Sequence, residues 1–189
     1  MKLDNLNSPS KEMKDFFDKR TNKHVSLVQK FAAKIADKFP ELSAVVEQAN
    51  IHDESKYKSP EYEPYLYITW QYKQRDAGKE YNIPDHIDDS AATLHHITHN
   101  SHHPEFHDPD ADEKSLNKKD RDALPDKMTD ATKMPDIDVA EMVADWCAMS
   151  EEKGGIPKEW AEKVIGKRWK FSKHQTDLIY KLINAIWDD

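Results

Sequence analysis

The chain has 189 residues, a net charge of −8, 37% hydrophobic and 34% charged residues, ten histidines and one cysteine. That length suits one domain around one core, and an acidic balance without a Lys/Arg block argues against a duplex nucleic-acid surface, which needs clustered cations to displace counterions. A lone Cys147 excludes an intramolecular disulfide, and with no apolar stretch near 18 residues to span a bilayer the expectation is a cytoplasmic protein that does not enter membranes.

In chain order, Ser8 or Ser10 with Pro9 can start a first helix, with apolar residues at 13, 16, 17, 27, 28, 31 and 35 on one stripe. A break near Thr21-Asn22 is expected before the helix resumes through His24. Pro40-Glu41 fits the first turn of a second helix leading to His52-Asp53, and Pro64 can open a third, through about Lys73. Asp88-Asp89-Ser90 offers a cap for a helix from about Ala91 to Asn100. Residues 105–136 are rich in Asp, Lys and Pro, as expected of a long surface loop or lid. The run from Val139 to Met149 is apolar except at Glu141 and Asp145, and Gly154-Gly155 ends it. Pro157 starts another helix, and Ser172 with Gln175 forms a capping box for the last. No segment alternates like a strand. The expectation is an all-α bundle, a single domain over 1–189.

Polar residues on inward helix faces carry the functional argument. Apolar positions 42, 45, 46 and 49 mark a buried face whose spacing continues to His52 and Asp53. A His and an Asp aimed at a core are costly unless something satisfies them, and a divalent metal does so. His24 lies seven positions after Phe17 on the first stripe. Asp145 sits in a helix buried on most of its circumference, with Glu141 one turn earlier as a supporting partner. Taken singly, such residues are more often hydrogen-bonded core groups than ligands. In the order His, His-Asp, distant Asp, they point to one metal.

The same order resembles the HD superfamily of metal-dependent phosphohydrolases, all-α proteins whose metal is held by a His, a His-Asp doublet and a later Asp. The matching positions are His24, His52, Asp53 and Asp145. The stretch from His52 to Lys56 is similar to the His-Asp-x-x-Lys form of the doublet, which implies that Lys56 lies near substrate phosphate. His95-His96-Ile97-Thr98-His99-Asn100-Ser101-His102-His103-Pro104, with Glu141-Met142-Val143-Ala144-Asp145-Trp146, looks like a phage and bacterial branch of that superfamily.

Six of the ten histidines fall between 95 and 107. His95 and His99 share a helix face, and His96 and His99 lie within one turn. Pro104 places His102 and His103 beyond the helix end. At least one of His96, His99 and His103 is expected at the site, with His95 and His102 as comparable choices and His107 in a solvated loop. Such imidazoles can bind a second metal, donate to phosphate oxygens or shuttle protons. The expectation is hydrolysis of a nucleotide or similar small phosphate ester by metal-activated water. His24, His52, Asp53 and Asp145, with His96 and His103, hold one or two divalent ions (Mn, Co, Mg, Ni, Zn or Fe). Lys56 neutralises the phosphoryl charge, and Glu54 or His99 serves as acid or base. An aromatic run, Tyr57, Tyr62, Tyr65, Tyr67 and Trp70, can stack a base or simply pack between helices. Two alternatives stand beside this: a di-iron oxygenase of the same superfamily, and a non-catalytic nucleotide-binding protein whose binding survives His52→Ala.

Overall fold

A computed structural model describes residues 8–116 and 123–187. Within them the chain is predominantly helical, with seven α-helices and two very short strands. The central element is α1 (Lys11–Lys38), capped by Ser10, whose hydroxyl accepts from the Met13 amide. It has no Gly or Pro, and it runs unbroken through Thr21-Asn22, where a break was expected. Thr21 is instead buried on the inner stripe with Met13, Phe17, His24, Val28, Phe31 and Ile35. A threonine can serve either as a cap or as a helix residue whose methyl packs inward, and tertiary packing decides.

Helix α1 packs most extensively on α5 (Asp136–Lys153), and α5 packs on α7 (Lys173–Ile186). Nearly every residue of α5 from Asp138 to Ala148 is buried. It stops at Gly154, which adopts φ +70° at the C-cap, a conformation glycine reaches without a Cβ penalty. The α7 start carries the reciprocal Ser172–Gln175 capping box. Its Ile179, Leu182, Ile183 and Ile186 meet Phe31 and Ile35 in the main core. Each such side chain, fully buried, contributes about 1.5–3 kcal/mol. The short α2 (Val45–Asn50) and α6 (Pro157–Val164) close this core. On the other side of α1 lie α3 (Tyr62–Asp76) and α4 (Asp89–His99), the latter capped by Asp88 through the Ala91 amide at 2.8 Å. Most of the aromatic run is packing: Tyr67 is buried with Met13 and Ile87, and Tyr57 and Tyr62 flank Phe17.

Two findings correct the expected loop at 105–136. First, β1 (Thr129–Asp130) pairs in parallel with β2 (Trp169–Lys170). Two residues are too few to show alternation, so the sequence carried no strand signal. Second, both ends of the segment are anchored to the rest of the fold. Asp108 accepts the Asp130 amide at 2.9 Å, Trp169 donates its indole N–H to buried Glu105 at 2.7 Å, and Gln175 donates to the carbonyls of Ala131 and Met134. Residues 117–122 of the expected lid lie outside the described residues. No helix among the described residues is long and apolar enough to cross a membrane.

Candidate metal centre

Three helices and two turns aim polar groups at a common cavity of about 40 Å³, room for a few water-sized occupants. His24 comes from the middle of α1. Asp145 comes from α5, on a stripe that also carries Glu141, Met149 and Glu152. His96 is on α4, and His102 and His103 follow that helix after its C-cap, Asn100. His52 and Asp53 do not continue a helix face, contrary to the spacing argument: α2 ends at Asn50, and Asp53 adopts φ +62°. That left-handed step, which Asp tolerates better than most residues, turns both side chains inward. They are 5% and 2% exposed.

The distances define two lobes with Asp53 between them. In the first, His24 Nε2 lies 3.0 Å from Asp145 Oδ1 and 4.0 Å from Asp53 Oδ2, while His52 Nε2 lies 3.9 Å from Asp53 Oδ1 and 4.0 Å from Asp145 Oδ1. In the second, the His96 and His102 rings stand 4.8 Å and 4.2 Å from the His103 ring, and His96 Nε2 is 3.3 Å from Asp53 Oδ1. The rings of His52 and His102 join the lobes at 4.2 Å. The ligand atoms within each of three sets (His24, His52 and Asp53; His52, His102 and Asp145; His96, His102 and His103) all lie within 4.8 Å of one another. These buried groups are close enough together to hold a metal ion.

The hydrogen bonds behind the ligands make that fit specific. Glu141 faces His52 Nδ1 at 2.9 Å, and Glu61 faces His96 Nδ1 at 2.8 Å. Against its burial, Glu61 is held ionised by its histidine partners and only accepts, so His96 Nδ1 donates and its Nε2 presents a lone pair to the cavity. Glu141 fixes His52 in the same way once it is ionised, above about pH 7. There the lone pairs meet carboxylate oxygens, which are also acceptors. Asp53 Oδ1 and His103 Nε2 are buried with no hydrogen-bond partner among the described residues. A cluster of converging acceptors short of donors is expensive in a protein interior and is relieved by a cation.

A family model matches residues 13–186, a span containing every one of these groups. The chain belongs to DUF5662, a family of unknown function. No curated protein and no solved structure matches it. This DUF5662 chain thus brings together His24, His52, Asp53, Lys56, His96, His103 and Asp145 from the sequence reading, and adds His102 from among the alternatives left open there.

Two expected residues are not at the DUF5662 cavity. Glu54 is exposed and paired with Lys58 at 3.0 Å, because the left-handed turn at Asp53 sends the next side chain outward. His99 is exposed, with Nδ1 held 2.8 Å from the His95 carbonyl of its own helix. His107 is not solvated as expected: its side chain is 8% exposed, and Nε2 donates to the Ser101 carbonyl at 2.9 Å, 3.5 Å from Asp138. That contact ties the histidine-bearing turn to α5. Arg20, Tyr65 and Tyr72 line the cavity mouth, and neither Arg20 nor Tyr72 was anticipated.

Burial alone would lower the His24 imidazole, but Asp145, Glu152 and Asp53 outweigh it and raise it to about 9. Burial pushes His52 down to about 4 and His102 to about 3. Burial also opposes ionisation of Asp53, yet Lys56, 2.5 Å from Oδ2, and the facing imidazoles hold that carboxyl well below its usual range. Glu141 is raised to about 7, first by burial and then by the nearby Asp145, Asp138 and Asp53. A metal ligand must be deprotonated. Without metal His24 is therefore cationic below about pH 9, and ion binding must expel its proton. The expected result is a metal affinity that rises about tenfold per pH unit from pH 7 to 9. The rise is steeper below pH 7, where Glu141 must also ionise, and flat above 9. Calorimetry in buffers of different ionisation enthalpy counts the released protons, and an affinity independent of pH over that window would contradict the assignment.

Proposed function

We propose that this chain is a metal-dependent phosphohydrolase of the HD type, acting on a nucleotide or a similar small phosphate ester through a two-ion centre. The observation that carries the reading is the placement of Asp53 between the lobes, with Oδ2 toward His24 and Oδ1 toward His52 and His96. His24, His52 and Asp145 would hold one ion, His96, His102 and His103 the other, and Asp53 would serve both. Bound there, a divalent ion supplies Lewis acidity and a water acidified toward neutral pH.

The rest of the chemistry belongs to the chain. Lys56, whose ammonium reaches Asp53 and lies 5.2 Å from the Tyr65 ring centroid, places a positive charge where an anionic phosphoryl group would approach. Arg20 adds a second cation at the mouth, and Tyr65 and Tyr72 offer faces for a base or sugar. The interior is too small for a nucleotide, so the ester's phosphoryl group enters and the remainder stays at the mouth. Ester hydrolysis makes one P–O bond to water and breaks another. Glu54 and His99 lie outside the cavity and do not serve as its acid or base.

A screen for phosphate release over nucleoside monophosphates, triphosphates and cyclic forms tests the proposal, with Mn, Co, Mg, Ni, Zn and Fe supplied separately. The expected outcome is turnover with at least one ion, abolished by chelator and restored by that ion. Turnover that survives complete metal removal, or no release from any nucleotide with any ion, would overturn it. The imidazole-rich second lobe also suits a di-iron oxygenase. That reading predicts two irons per chain, an oxidised-iron absorption band and no phosphate release.

A further inference from the structure

We propose that Asp138 is a positioning residue that sets the spacing of the two lobes, by holding both the segment that leads to His52 and the peptide that leads into His102. The inference rests on the reading of the interior as a two-ion centre. Asp138 lies in the first turn of α5 and is 7% exposed. Its Oδ1 accepts twice, from the Gln48 amide nitrogen at 2.7 Å and from the Ser101 hydroxyl at 3.1 Å. Gln48 is on α2, four residues before His52, and its amide oxygen is buried with no hydrogen-bond partner among the described residues. The bond to Asp138 is therefore what fixes that side chain. Ser101 directly precedes His102 and is held at two points. Its hydroxyl donates to Asp138, and its carbonyl accepts from His107 Nε2 at 2.9 Å. That nitrogen in turn lies 3.5 Å from Asp138 Oδ2, so both oxygens of the carboxylate face the same turn.

An acid that merely complements the helix dipole does not need this arrangement. Such a carboxylate works from a solvated position in the first turn, and Asp136 already does so, with its side chain 45% exposed and 2.8 Å from His174. A second carboxylate buried in the same turn is costly unless its oxygens are bonded. The donors that Asp138 takes come from two segments, and each segment carries a ligand of a different lobe. A planar peptide passes orientation from one residue to the next. With the Ser101 carbonyl held by His107, the peptide plane entering His102 is fixed, and His102 and His103 inherit their approach to the cavity.

Helix α5 thereby acts as a ruler for the site. Asp138, Glu141 and Asp145 follow one another at steps of three and four residues, on one face of the helix. Asp145 lines the cavity, Glu141 stands behind His52 at 2.9 Å, and Asp138 stands one turn further back against Gln48 and Ser101. The His52 and His102 rings meet across the lobes at 4.2 Å, so a shift of either segment opens or closes the gap between the two sets of ligands.

Co²⁺ is the probe, titrated into the metal-free full-length protein while the visible absorption of the bound ion is followed. The wild-type chain is expected to take up two ions, and His103→Ala identifies the step that belongs to the His96, His102 and His103 lobe. Ser101→Ala leaves Asp138 and the helix start intact. It should weaken that step by about 10–100-fold and leave the other unchanged. Gln48→Ala should do the reverse, and Asp138→Asn, with one acceptor oxygen in place of two, should weaken both. Amide exchange in the metal-free protein gives a second readout: residues 101–107 should exchange faster in Ser101→Ala, with α1 unchanged. Should Asp138→Asn fail to fold, the other two variants still decide. Uptake by Ser101→Ala and Gln48→Ala indistinguishable from wild type would overturn the positioning role and leave the two-ion centre standing. Equal losses at both steps in Ser101→Ala, with faster exchange in α1, would also overturn it, by making these bonds a support of the whole fold. Wild-type protein that takes up fewer than two ions would overturn the centre and the positioning role with it.

Discussion

Asp53→Asn is expected to strip metal from both lobes and to reduce turnover on the order of a thousandfold, the upper range for losing a positioned charge-stabilising group. Asp53 is the carboxylate that faces both sets of imidazoles, with Oδ1 3.3 Å from His96 Nε2 and Oδ2 4.0 Å from His24 Nε2. Asn preserves the volume and, like Asp, is enriched in the left-handed region that φ +62° demands. The backbone turn therefore survives while the negative charge does not. With that charge gone, Lys56 and cationic His24 lose a shared partner, and two ions would be held by imidazoles with only the Asp145 carboxylate beside them. Asp53→Ala is the poorer test, because Ala at positive φ adds backbone strain to the loss of charge. Metal content per chain and phosphate release, measured on the same preparation, check the result. Asp53→Asn protein that retains its full metal complement would refute the central placement of this carboxylate, whatever the reaction proves to be.

The parts of the site that were legible in the sequence are those in conflict with their surroundings. His24 interrupts an apolar stripe and Asp145 an apolar helix, and both conflicts mark inward groups. His52-Asp53 was legible as a pair, but for the wrong local reason: burial follows from a left-handed turn after a short helix, not from a continued helical face. His99 shows the limit of reasoning within one turn. A three-residue step rotates about 60° short of a full circle, so His96 joins buried Ala92 on the inner face while His99 joins His95 on the outer one. Glu61 carried no signal at all. An acidic residue at the start of a helix is the ordinary complement to its dipole, and nothing local reveals that this one is fully buried beneath two histidines. The helices themselves were readable because caps, prolines and apolar stripes agree. The β1–β2 pairing was not, because it is a contact between residues about 40 apart, with no local pattern to announce it.

Glu61→Gln and Glu141→Gln are expected to separate the two lobes, each lowering the metal affinity of one by about 10–100-fold, the usual cost of losing a partner behind a ligand. Glu61 accepts from His95, His96 and Ser55 at 2.7–2.8 Å. A glutamine offers one acceptor oxygen in place of two, so it cannot satisfy all three donors, and its amide N–H₂ faces one of them. The buried donor left unpaired costs about 1–3 kcal/mol, visible as a lower melting temperature even without metal. The effect at the centre falls on His96, whose ring is no longer fixed with Nε2 toward Asp53. Glu141 supports the other lobe: Oε1 holds His52 Nδ1 at 2.9 Å and lies 3.5 Å from His102 Nδ1. Because His102 stands between the lobes, Glu141→Gln should weaken the His24, His52 and Asp145 ion most and the His96 ion less. Glu61→Gln should do the reverse. Paired metal titrations of the two variants, followed by calorimetry with a second ion after the first is bound, resolve the two affinities. A uniform loss of affinity in both variants would mean that the lobes act as one site with one ion. Selective losses in opposite lobes would leave two ions sharing the carboxylate of Asp53.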